Sequence, residues 1–162
     1  MLRFTARRPE RKGPEITEGI HGFDPAAMAR LRKARGLTLD TLGERVGRAR
    51  PNVIKWEAGE APSPPKLVAL ARALEVDPWQ LTVTKPQVAE LSDLRDWAGL
   101  TRRELAARAG IRRSTYANIE RGLAPLGPEA SAALARVLEC DVSRVERAYR
   151  RAARREAAVG PS

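Results

Sequence analysis

LGERVGRARPNVIKWEAG, residues 42–59, returns in altered form as LAARAGIRRSTYANIERG, residues 105–122. Each stretch is a helical run of apolar residues, a glycine (Gly47, Gly110), a second such run, and a closing Glu-x-Gly at Glu57 and Glu120. Extended outward at the same offset of 63, thirteen of the 32 positions from Leu31 to Pro62 are identical to those from Leu94 to Pro125. Among them are the pairs Arg32/Arg95, Gly36/Gly99, Leu37/Leu100, Thr38/Thr101 and Arg50/Arg113. One inserted residue later, LARALEVD from Leu70 meets LARVLECD from Leu134. A repeat of about 60 residues is too long for a solenoid unit and suits a small helical domain. The chain therefore reads as two copies of one domain.

The bulk properties agree with a partner of opposite charge. The 162 residues carry a net charge of +10 and a pI near 10.9, a balance that points to a polyanion. The excess is +2 for residues 1–23, +3 for 24–84, +1 for 85–143 and +4 for 144–162, so the tails are basic for their length. Cys140 is the sole cysteine, which rules out an intrachain disulfide, and it stands where the first copy has Val76, a core position. One histidine, His21, and one cysteine cannot make an ordinary zinc site, and no cofactor is expected. There is no run of transmembrane length and no secretory signal, so no membrane partner and a cytoplasmic location are expected. No phosphate loop, G-x-S-x-G or Cys–His pair at plausible spacing marks an enzyme, and none is expected.

The spacing predicts an all-α fold in four segments. Residues 1–23 mix Arg, Pro and Gly without periodicity and read as a basic, disordered arm. The first domain, 24–83, starts at Asp24-Pro25 and predicts helices over 25–35, 39–46, 50–58 and 66–74, with APSPP (61–65) as a loop and a short fifth helix after Asp77-Pro78. Residues 82–85 are the join. The second domain, 84–146, repeats the series, with Thr84 as its first cap. The last segment, VSRVERAYRRAARREAA from Val142, predicts an amphipathic helix with Arg144, Arg147, Arg151 and Arg154 on one face, and 147–162 is set apart as an Arg-rich helical extension and tail.

The repeated stretches resemble the helix-turn-helix of the lambda-repressor/Cro (XRE-type) family, and the flanking helices and trailing L-A-x-x-L pattern extend the resemblance to about three-quarters of the chain. The resemblance implies two tandem five-helix domains that bind double-stranded DNA, each placing its third helix in the major groove. It also implies base readers at Ala49, Arg50 and Lys55 and at their counterparts Arg112, Arg113 and Asn118. Arginine can pair with O6 and N7 of guanine, a contact worth about 1–3 kcal/mol of discrimination. Arg48, Asn52, Thr115 and Arg102 are candidates for phosphate, which sets register but carries no sequence information. Arg32 with Glu57 and Arg95 with Glu120 match the family's structural ion pair, a clamp between the first and third helices.

Two departures stand out. The family's Gln after the Thr that opens its second helix is here Leu39 or Arg102, and the Ser or Thr that caps its reading helix is here Ala49 or Arg112. Three readings follow. The leading one is a transcriptional regulator, a repressor, with both domains on one duplex. The alternative is an antitoxin-like or accessory protein in which only the first domain reads DNA and the second, with the C-terminal helix, holds a protein partner or a second copy. An enzyme is the third and weakest.

Overall fold

Asp24-Pro25 opens the first helix for two separable reasons. The Asp24 carboxylate accepts the Ala27 N–H at 2.9 Å, and the proline takes a position whose N–H would have no helical partner. In the computed structural model, which describes residues 19–160, this helix is α1, Pro25–Ala34. α2 (Leu39–Arg45) follows the Thr38 hydroxyl, which accepts from Thr41 N at 3.1 Å, and α3 covers Arg50–Glu57. α4 is Pro64–Leu74. It starts two residues before the expected Lys66, because Pro64 and Pro65 occupy a helical first turn, where a missing N–H costs nothing. In place of a short fifth helix there is a single 3-10 turn, Pro78–Leu81.

The second unit repeats the order as α5 (Leu91–Trp97), α6 (Arg102–Ala109), α7 (Arg113–Arg121) and α8 (Pro128–Val137). Thr84 does not cap it. The chain passes through a 3-10 turn, Pro86–Val88, and α5 is opened by Glu90, whose N–H is accepted by the Asp93 carboxylate at 2.8 Å. Apart from one isolated bridge between Phe23 and Thr82, the regular structure among the described residues is helical.

The copies differ most at their ends. α9, Val142–Val159, is 18 residues long and runs straight through the boundary expected between 146 and 147. By repeat alignment it corresponds to the 3-10 turn at Pro78, so one turn in the first copy becomes a helix about 27 Å long in the second. In the first copy Thr82 and Val83 turn back onto the start of the domain, where Val83 N donates to Gly22 O at 2.8 Å and Asp24 N to Leu81 O at 2.9 Å. In the second, Ala, Arg and Glu favour continued helix, and Val145, Ala148 and Ala152 bury its inner side.

Each unit has a core. Met28, Leu42, Val53, Leu67, Leu70 and Leu74 fill the first, and Leu91, Leu105, Tyr116, Leu134 and Val145 the second. Ile20 joins the first core, its N–H bonded to Pro62 O at 3.0 Å. The end of the expected arm, residues 19–23, is therefore part of the first domain. Residues 1–18, on which the expectation of disorder also falls, lie outside the described residues. Cys140 is half-buried against the second core.

The two cores meet at Trp97, which packs against both and donates from Nε1 to Thr82 Oγ1 at 3.2 Å. Beside it, Gly99 lies so close to α4 that a Cβ there would stand 2.9 Å from Val68 Cγ2. Asp96 is buried at the same joint, and the His21 backbone N–H hydrogen-bonds to it. Its Oδ1 lies 2.8 Å from Arg95 Nη1 but makes no well-formed hydrogen bond.

Burial pushes the Asp96 carboxyl up from 3.8 to about 7, against the opposing pull of Arg95. A carboxyl with a raised folded pKa contributes its stabilisation fully below the unfolded value and loses it as pH rises through the folded value. Stability is therefore expected to fall between about pH 4 and pH 7, by up to about 4 kcal/mol from this group. Asp96→Asn should flatten that part of a urea-denaturation profile. A variant that keeps the slope would assign it to another group.

Candidate nucleic-acid interface

In each unit a tight glycine turn sets two helices across one another. Gly47 and Gly110, at φ of +62° and +68°, end α2 and α6 in the left-handed region, which lets the chain reverse into α3 and α7. Ala49 and Arg112 are the N-caps of those helices, and neither side chain makes a capping hydrogen bond. The inner faces are held by Val53 and Trp56 in α3 and by Tyr116 and Ile119 in α7. What remains outward is the candidate reading surface.

On the first unit Arg48, Ala49, Arg50 and Lys55 are exposed and Asn52 is half-buried. On the second, Arg112, Arg113, Ser114, Thr115 and Asn118 are all exposed. Arg50 lies 3.5 Å from Asp40 of α2, but both side chains are more than half exposed, so water screens the pair. Asp40 is replaced by Arg103 in the second copy, which leaves Arg113 without an equivalent acidic neighbour on α6.

Behind each reading helix is the same ion pair with the same fork. Arg32 Nε donates to Glu57 Oε1 at 2.5 Å and its Nη1 to Leu37 O at 2.9 Å. Arg95 Nε donates to Glu120 Oε2 at 2.7 Å and its Nη1 to Leu100 O at 2.9 Å. One guanidinium thus ties the first helix of the unit to its reading helix and to the loop before the second helix. The second copy adds two donors to the acid, Tyr116 Oη at 2.7 Å and Arg102 Nε at 2.7 Å.

Burial by itself would raise the Glu120 carboxyl. The hydrogen bond and charge of Arg95, joined by Tyr116 and Arg102, outweigh it and hold the group below its usual value. Burial and the Glu120 charge push the Tyr116 hydroxyl well above its own, so it stays a donor. These are fixed partners, and nothing in the arrangement frees a proton for chemistry.

The structure thus gives Arg102 a role that the sequence did not suggest. Proposed for phosphate, it has its Nε turned onto Glu120, and its side chain is only 27 % exposed. Tyr116, a buried residue of the second core, is also a donor to the acid. Its second role follows from the place it shares with Val53, four residues before the acid and on the same face of α7.

Not all the C-terminal arginines face outward. Arg151 donates from Nη1 to Ala89 O at 2.9 Å and from Nη2 to Gln87 O at 2.6 Å, while Arg155 pairs with Glu90 at 2.9 Å. These contacts staple α9 to the stretch that leads into α5, within the second unit. Arg144 and Arg147 line a cavity of about 260 Å³ beside Pro86 and Gln87. Among the described residues no cluster of His, Cys, Asp and Glu could hold a metal, and no helix is long and apolar enough to cross a membrane.

A family model of the helix-turn-helix matches this chain twice, over residues 28–78 and 91–152, which together are more than half of it. The chain belongs to the XRE/lambda-repressor-like helix-turn-helix family and carries two tandem copies of its domain. It is a DNA-binding regulator of that family. Comparison with curated proteins and with solved structures gives no match.

Proposed function

We propose that this chain is a sequence-specific transcriptional regulator, by family resemblance a repressor acting in the cytoplasm, that reads the major groove of duplex DNA with α3 and α7 together. The observation that carries the reading is that both helices, held from behind by the same Arg–Glu clamp, present polar and cationic side chains to solvent from their N-terminal halves. Arg50, Lys55 and Ala49 are the base readers of the first unit, and Arg112, Arg113 and Asn118 those of the second. Arg48, Asn52 and Thr115 contact phosphate, and Arg102 is left out because Glu120 holds it. The copies differ at 49/112 and 55/118, so their half-sites differ in sequence.

The test uses duplexes selected from a random pool at physiological salt, because affinity for DNA falls steeply with salt. Arg50→Ala and Arg113→Ala are each expected to weaken binding to the selected duplex by about 5- to 150-fold, the range of one lost bidentate guanine contact. Both are exposed and should leave the fold intact. If Arg113→Ala leaves the affinity unchanged, the second unit does not read bases and the alternative, a protein partner on that unit, replaces this reading. The fuller acid network around Arg102 in the second unit is the observation that favours the alternative.

A further inference from the structure

The two units are joined by unlike surfaces. The second unit contributes the end of α5, through Asp96, Trp97 and Gly99, and the first contributes α4 at Val68 and the chain at Thr82. The counterpart surfaces are open. Lys33, Ala34 and Gly36, at the end of α1, are exposed, and a Cβ on Gly36 would meet nothing within 4 Å. Ala132 of α8, which stands where Val68 stands in α4, is exposed, as is Pro128, the counterpart of buried Pro64.

A two-fold axis between like units puts the same surface of each into the contact, so a residue covered on one side is covered on the other. Here neither half of the joint obeys that rule. The arrangement is head-to-tail.

A regular duplex offers two ways to dock like units equivalently along its length. Its dyads relate them by a half-turn, which demands inverted half-sites. Its screw axis relates them by translation with rotation, which demands half-sites repeated in one direction. A head-to-tail joint is incompatible with the first and compatible with the second. The joint also has reason to persist on DNA, since Trp97 packs against both cores and hydrogen-bonds to Thr82, and Gly99 lies directly against Val68 of α4.

Resting on the reading that both α3 and α7 bind DNA, we propose that the element this chain recognises is a tandem of two unlike half-sites in the same orientation, not a palindrome.

The test takes the full chain and the half-sites recovered by selection. Three duplexes with equal spacing are compared in competition: both half-sites in one direction, the first inverted, and the second inverted. The same-direction duplex is expected to bind at least about tenfold more tightly than either inverted one, because only it allows both units to engage at once. An inverted duplex that binds equally well or better overturns the proposal. Trp97→Ala, which loosens the joint, is expected to cut the preference to about threefold or less while leaving affinity for each isolated half-site unchanged. If that variant keeps the full preference, the joint is not its source and the proposal fails. Failure of the underlying reading looks different, because selection then returns a single half-site and Arg113→Ala has no effect.

Discussion

Glu120→Ala is expected to destabilise the second unit by about 3–5 kcal/mol, the usual consequence of stranding one half of a buried ion pair. The Arg95 side chain is only 6 % exposed, so water cannot replace the lost carboxylate, and Tyr116 Oη and Arg102 lose an acceptor at the same time. The equivalent change in the first unit, Glu57→Ala, should cost less than half as much. There the acid is 20 % and the arginine 11 % exposed, and neither a tyrosine nor a second arginine depends on it. Urea denaturation of the two variants makes the comparison. Equal losses would mean that burial does not set the worth of the clamp. A large loss in duplex affinity for Glu57→Ala at full stability would show the pair orienting α3 as well as anchoring it.

Gly122→Ala is expected to cost about 2–5 kcal/mol, with a control that separates its two causes. Gly122 and Gly110 are both left-handed, at φ of +79° and +68°, and alanine at either pays about 1–2 kcal/mol for that conformation. Only Gly122 has a neighbour, since its Cβ would fall 2.6 Å from the Cα and N of Ala153 in α9, whereas Gly110 has nothing within 4 Å. A clash with backbone cannot be relieved by turning a side chain, so α9 itself must shift, an overpacking cost of about 1–3 kcal/mol more. Gly122→Ala should therefore be the worse of the two, and amide exchange along α9 should accelerate in it alone. Equal behaviour of the two variants would mean that α9 yields at no cost.

How much of this was legible beforehand depends on whether a residue announces its role by its type. Gly47, Gly110 and the Arg32/Glu57 and Arg95/Glu120 pairs do, because a left-handed turn and a paired charge each require particular residues at particular spacings. The all-helical fold followed from the same periodicity. α9 was legible too, since the amphipathic pattern predicts one helix over 142–158 and the structure has Val142–Val159, whereas the boundary set after 146 by the length of the first copy cuts through it. Ile20 falls in a stretch without periodicity, read as part of the arm, and only the path of the chain shows the core it enters. The joint was written in plain differences, Lys33 to Asp96 and Ala34 to Trp97, yet a difference between copies does not say what it faces. The Arg102–Glu120 contact was hidden for a related reason, since helix position shows where an arginine starts and not which acid its far end will find.

A head-to-tail contact does not close on itself, and repeated with identical parts it would add units without limit. The divergence of the copies makes such growth unfavourable here. The free plug on α1 carries a lysine and an alanine in place of the aspartate and tryptophan that fill the joint, and the free socket on α8 offers Ala132 where α4 offers Val68. The residues that fasten one copy to the other are thus missing from both open ends, and neither can repeat the contact that holds α5 against α4.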